Sequence, residues 1–284
     1  MTFDLYLRGK EIPLDAIFNH IDENADFQRQ KIPNENSGYS FLNPVTGVYW
    51  YLRIEERGKN DLNVKLLSFS LNYNRATFFA LETLPLVENL CRHFDLLVED
   101  PQEDSVGQAS FEELLKSWRL HNKRAVQALQ ADGIALHYML ESKATEWWAF
   151  MRERSRIAAH FQDRVFIPQV FLLKRPSGAP FRMIVWDHGN CQLLAPADLV
   201  WIDRSKISSH EGKTEQGFVP FERFHELVAP YTTEYHTGTH SYRLLDPAKH
   251  PEVISLVGEW ELAPTLKHEQ VFTDGFHDVE MDKV

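Results

Sequence analysis

The run Tyr39-Ser-Phe-Leu-Asn-Pro-Val-Thr-Gly-Val-Tyr-Trp-Tyr-Leu-Arg-Ile54 constrains the fold more than any other part of this chain. Two aromatic, alternating segments flank a turn at Asn43–Gly47. Asn-Pro sets the approach to the turn and Gly47 supplies a residue at positive φ, so the two segments predict an antiparallel hairpin. Alternation with period two places one face of that hairpin in a core. The segment spells architecture and carries no catalytic group.

A chain of 284 residues sits near the upper size of one continuous core, so one large domain and two fused subdomains both fit. Hydrophobic residues at 43% and charged residues at 25% place it among globular proteins. Nineteen Phe, nine Tyr and seven Trp exceed what a core of this size needs, and part of the surplus suits a binding face. The net charge of −11 weighs against non-specific binding to nucleic acid or anionic lipid, which need basic patches, and favours a basic protein partner. Cys91 and Cys191 form no CxxC and no zinc-type spacing, and both lie in apolar runs as buried thiols would. The start Met1–Arg8 carries Asp4 and no apolar run, unlike a signal peptide, and no window reaches the roughly eighteen apolar residues of a membrane span. A cytoplasmic protein is expected.

Phe3–Leu7 reads as a first strand ended by Gly9, and Leu14–Ile21 as a helix opened by Pro13. A polar loop extends to Ser37; the hairpin follows, then a turn at 58–61 and a strand at Val64–Tyr73. Thr77 is placed to cap a helix from Phe78 to Leu90, with Pro85 a point of shortening or kinking. A strand at Phe94–Val98 then ends in the acidic turn Glu99–Asp104. Ser110 with Glu113 spells a capping box for a helix toward Leu129, and a second helix is expected over Ala144–Phe161. Strands follow at Val165–Lys174, Phe181–Trp186, Cys191–Leu194 and Leu199–Ile202, and Pro220 opens a short helix. The predicted fold is α+β, with antiparallel sheets and packed helices. It comprises an N-terminal ferredoxin-like meander (1–105), a helical middle (106–162), a second antiparallel sheet (163–258) and a loosely packed acidic tail (259–284).

Signatures of chemistry are sparse. His236-Thr-Gly-Thr-His240 has i, i+4 spacing, and His225, His250, His268 and His277 lie in the same third of the chain. Gly238 and the Thr residues argue against the helix that would aim two imidazoles at one metal, and no Glu follows the first His. Ser155 and Ser177 lack a nucleophile elbow, and Gly47, Gly107, Gly133 and Gly178 are isolated and build no phosphate loop. Glu99, Asp100, Glu103 and Asp104 suit a cation or a basic partner, though they also suit a solvated turn, and the calcium-loop register is missing. Trp147 and Trp148 point about 100° apart on a helix, so at least one is core and the other a candidate exposed anchor. Arg75 reads as a helix-start charge packed along its stem.

Five segments carry a resemblance: Phe3-Asp-Leu-Tyr6, Asn43-Pro-Val-Thr-Gly-Val-Tyr-Trp50, Arg75-Ala-Thr-Phe-Phe-Ala-Leu-Glu82, Glu99-Asp-Pro-Gln102, and Trp118 followed by Asn122. In that order they resemble a family of uncharacterised proteobacterial cytosolic proteins encoded beside polymorphic or type VI secreted toxins. A weaker echo lies at Val165-Phe-Ile-Pro168 and Ala197-Asp-Leu-Val200. The resemblance implies an immunity protein with no catalytic residues, cofactor or metal. It would occlude a cognate toxin that acts in the cytosol through a basic active face. Opposite charge then speeds association more than it tightens it. The partner-facing residues expected are Glu99, Asp100, Glu103 and Asp104 with one of Trp147 or Trp148; nucleic acid and membrane are not expected partners, and self-association stays open. The alternative is an adaptor or chaperone whose groove receives a secreted effector's N-terminal segment. A third class is an enzyme built on the C-terminal histidines.

Overall fold

Alternation of Phe3, Leu5 and Leu7 with polar neighbours makes the first strand one-sided, and the structure places it in the interior of a sheet with all three side chains fully buried. A computed structural model describes residues 1–33, 35, 37–57, 63–162, 164–175, 178–187, 192–204, 216–237, 240–263 and 269–279. The chain divides into two units, residues 1–144 with 272–284, and residues 145–271.

The first unit comprises β1 (Thr2–Pro13), α1 (Leu14–Asn24), β2 (Gln28–Lys31), β3 (Gly38–Leu42), β4 (Tyr49–Arg57) and β5 (Asn63–Asn72). It continues through α2 (Phe78–Phe94), β6 (Leu97–Asp100), β7 (Ser105–Gly107) and α3 (Phe111–Ala131). The seven strands run in the order β2-β3-β4-β5-β1-β6-β7, each antiparallel to its neighbours. Within them β1-α1-β4-β5-α2-β6 is the split βαβ pattern of a ferredoxin-like fold, as expected, with β2 and β3 added at one edge and β7 at the other.

The aromatic hairpin forms as read, with Tyr39 opposite Leu52 and Phe41 opposite Trp50. Gly47 takes φ +68°, the left-handed value a side chain resists. Phe41 and Trp50 stack at 4.1 Å between ring centres, and Trp50 meets Phe69 of β5. Glu82 of α2 ties the turn to the helix layer, accepting hydrogen bonds from Asn43 Nδ2 (2.7 Å) and Thr46 Oγ1 (3.1 Å).

Several local expectations are corrected by tertiary pairing. β1 does not stop at Gly9 but runs to Pro13 through a register shift between Arg8 and Ile12. The polar loop contains β2, whose four residues are all exposed, so no alternation marks it. Phe94 ends α2, and the following strand is shifted to Leu97–Asp100 because Asp95 turns the chain in a left-handed conformation. α2 passes through Pro85 without interruption. Ser110 makes no capping hydrogen bond; Glu88 accepts from the Phe111 amide instead (3.2 Å). Arg75 does more than pack its stem, donating from Nη2 to the Tyr49 hydroxyl (2.7 Å). The turn expected at 58–61 lies outside the described residues.

The second unit takes most of α4 (Glu141–Phe161), then β8 (Phe171–Lys174), β9 (Pro180–Asp187), β10 (Leu193–Leu194), β11 (Leu199–Asp203), β12 (Gln216–Pro220) and α5 (Phe221–Val228). It ends with β13 (Thr232–Thr237), β14 (His240–Leu245), α6 (His250–Glu259) and β15 (Glu269–Gln270). One sheet has the order β12-β11-β9-β8-β15 and the other β10-β14-β13. Pairing is antiparallel except between β9 and β11, which run parallel, a departure from the wholly antiparallel expectation. Arg204 is fully buried and holds the end of α6, its Nη1 donating to the carbonyls of Val257, Gly258 and Trp260. Val165–Val170 lies outside β8, and Cys191 and Ser177 lie outside the described residues. Among the described residues no helix is long and apolar enough to cross a membrane.

The helical middle is not a separate body, because α3 belongs to the first unit and the division falls within α4. Within the acidic tail, residues 272–279 are not loose: they return to the first unit, with Phe276, His277 and Asp278 buried. Phe276 packs against Phe78, and His277 forms a bridge to Tyr138. Thr77 donates both its amide (2.7 Å) and its hydroxyl (3.0 Å) to Asp278, which takes the place of a side-chain cap. Truncating Phe276 to Ala should cost about 3–5 kcal/mol in urea denaturation, as for a buried aromatic that leaves a cavity.

Burial pushes the Asp278 carboxyl up to about 6, against the pull of the two Thr77 hydrogen bonds. The folded state therefore favours the neutral acid, and this contribution is full below the ordinary value of 3.8 and lost as pH rises through about 6. Asp278→Asn keeps the neutral shape. Its stability relative to wild type should improve by on the order of 2–3 kcal/mol between pH about 4 and about 7. A pH-independent difference in urea midpoints would count against this.

Candidate functional site

β6 and β7 form a hairpin at one edge of the seven-stranded sheet, and the acidic run spans the end of β6 and the turn between the strands. Because successive strand residues point to opposite faces, the four carboxylates do not form one patch. Glu99 points to the side of the sheet shared with Tyr6, where Arg8 Nη2 meets its carboxylate at 2.9 Å. Asp100 points the other way and is only 4% exposed. Its carboxylate accepts from the Gln102 amide (2.9 Å) and from Ser117 Oγ of α3 (2.8 Å), so it shapes the turn and fastens it to the helix. As a partner-facing residue Asp100 is therefore corrected to a structural one. Glu103 is exposed and lies 2.8 Å from His121 Nε2, and Asp104 is exposed at φ +49°, a conformation Asp tolerates better than most residues.

Of the two tryptophans Trp147 is the one in the core, and so not the anchor: it is 4% exposed and its Nε1 donates to the Val170 carbonyl at 2.9 Å. Trp148 is half-buried with the Arg152 guanidinium over its ring. Both lie in the second unit, whereas the acidic hairpin lies in the first, and no single site within one unit holds the six residues.

What the hairpin does build is a groove of about 470 Å³ between β7 and the N-terminal half of α3. Val98 and Leu114 lie along it with Leu120, which is 44% exposed, and its charged lining includes Glu103, Glu113 and Lys116. β7 is the last strand of the sheet, with all three of its residues exposed and Val106 at 66%. Sequence reading missed this strand because Ser-Val-Gly is too short to show alternation. It read Glu113 as a cap because the capping-box spacing was present without the geometry.

The C-terminal histidines disperse. β13 and β14 form a hairpin in which Thr237 is opposite His240 and His236 opposite Ser241, so His236 and His240 face opposite sides of the ribbon. His240 and His225 line one cavity of about 300 Å³ with Tyr242 and Arg243. Burial and the neighbouring Arg243 lower the His225 pKa, and burial lowers that of His250. His277 sits in the first unit, lowered by burial and by His137, and His268 lies outside the described residues. Among the described residues no group of three or more His, Cys, Asp or Glu side chains is arranged to hold a metal. Ser155 lies inside α4 rather than in a turn, and Cys91 is buried with its thiol pushed up to about 12.

Asp100→Ala should leave the Gln102 amide and the Ser117 hydroxyl without their acceptor and cost about 1–3 kcal/mol. Glu99→Gln, at an exposed ion pair, should stay within about 0.5 kcal/mol of wild type. Urea denaturation of both variants checks the contrast; equal effects would refute it. Comparison with protein-family models, curated proteins and solved structures finds no match to this chain.

Proposed function

We propose that this chain is a protein-binding protein that neutralises a cognate secreted toxin by occupying its surface in the cytosol. The observation that carries the reading is the solvent-open groove beside β7, with Glu103 and Glu113 among its lining residues. A groove flanked by an edge strand recognises chain segments and apolar side chains. Its carboxylates, within a chain of net charge −11, favour a basic partner and speed the encounter. The resemblance in the first part of the sequence supplies the biological setting, a product encoded beside a polymorphic or type VI toxin.

A second reading is favoured by the same groove. An adaptor or chaperone that loads a secreted effector would bind an extended segment of its cargo without blocking an active face. The two differ in outcome when the chain is co-expressed with the product of the neighbouring toxin-like gene. Neutralisation predicts that growth is restored and the two proteins copurify. Copurification while the cells still die selects the adaptor, and no copurification refutes both.

A further inference from the structure

The two edges of the seven-stranded sheet are unlike. β2 carries Arg29 and Lys31 among four polar residues, the kind of charged edge that discourages further strand pairing. β7 is Ser105-Val106-Gly107, without a charge or a proline, and no strand among the described residues pairs with its outer side. Pairing places Val106 opposite Glu99 and Gly107 opposite Val98, so Ser105 and Gly107 share the helix-side face with Val98. Both are small, and a Cβ added to Gly107 would meet nothing within 4 Å. The space they leave opens into the groove beside α3.

Resting on the protein-binding reading above, we propose that β7 accepts an extended basic segment of the partner as an eighth strand. Main-chain hydrogen bonds to the outer side of β7 supply affinity that does not depend on the segment's side chains. Alternate side chains of the added strand then point to opposite faces, the basic set into the groove that Glu103 and Glu113 line, with alkyl stems along Leu120, and the apolar set past Val106. Lys or Arg in the segment meets Glu103 and Glu113, and this charge pattern rejects an acidic strand of the same shape.

The probe is a peptide of alternating Lys and Val, roughly six residues long to match a short strand, titrated into the full-length protein while backbone amide resonances are followed. Saturable shifts centred on residues 105–107 and the first half of α3 are expected. Alternate backbone N-methylation removes peptide donors while keeping its charge and side chains, and should weaken binding at least about tenfold. Val106→Lys and Glu113→Lys, both at exposed positions, should do the same with unchanged circular dichroism. Equal binding of the methylated peptide, equal binding of an alternating Glu and Val peptide, or no binding at about 1 mM would each overturn strand addition. Growth rescue retained in Val106→Lys refutes β7 as the toxin contact and leaves neutralisation standing. Peptide binding without any rescue by the wild type keeps the strand site and removes the toxin reading.

Discussion

The first unit depends on β1 being paired on both sides. Phe3, Leu5 and Leu7 are fully buried under the helices, and the same strand meets β5 along one edge and β6 along the other. Without it the aromatic meander β3-β4-β5 and the acidic hairpin β6-β7 would be two unconnected ribbons, each too small to hold a core. Burying one face of β1 also fixes its register, since a slip by one residue would exchange Phe3, Leu5 and Leu7 for Asp4, Tyr6 and Arg8. The groove beside β7 is thus set by a strand almost a hundred residues earlier in the chain.

The fate of the four carboxylates follows from that register. Once β6 is locked against β1, Glu99 and Asp100 must face opposite sides, and α3 covers only one of them. Asp100 becomes an internal fastener, and the surface that remains acidic is contributed by Glu103, Asp104 and, from α3, Glu113. What this surface offers a partner is therefore a groove and an open strand edge rather than a block of charge. An acidic stretch in sequence marks where the hairpin turns; which of its members can touch a partner is decided by the pleat.

The final residues show the same separation of local and tertiary causes. Glu269 to Val279 has little periodicity, yet Phe276 fills space beside Phe78, and Asp278 satisfies the amide and hydroxyl of Thr77. Burial in that setting makes the carboxyl prefer its neutral form, so a segment that looks like solvated tail becomes a pH-dependent part of the fold. The signal for it was Phe276 alone, since Phe272 is 72% exposed, and one apolar residue is too little to outweigh the acidic composition.

By itself the sequence determined the elements whose side chains repeat: the alternating hairpin with Gly47 at its turn, the helical spacing of α1 and α2, the long amphipathic α3, and the α+β class with a ferredoxin-like first part. Those signals are local, because period and turn chemistry act over a few residues. Only the tertiary structure decided that β2 and β7 exist, that β9 and β11 run parallel, that the Ser110 side chain makes no capping hydrogen bond, and that Trp147 and Asp100 are inside. Short, exposed edge strands carry no periodicity, and whether a polar or aromatic residue is buried depends on which distant element covers it. The groove at β7 belongs to this second kind, since it arises where an unmarked strand meets the side of a helix.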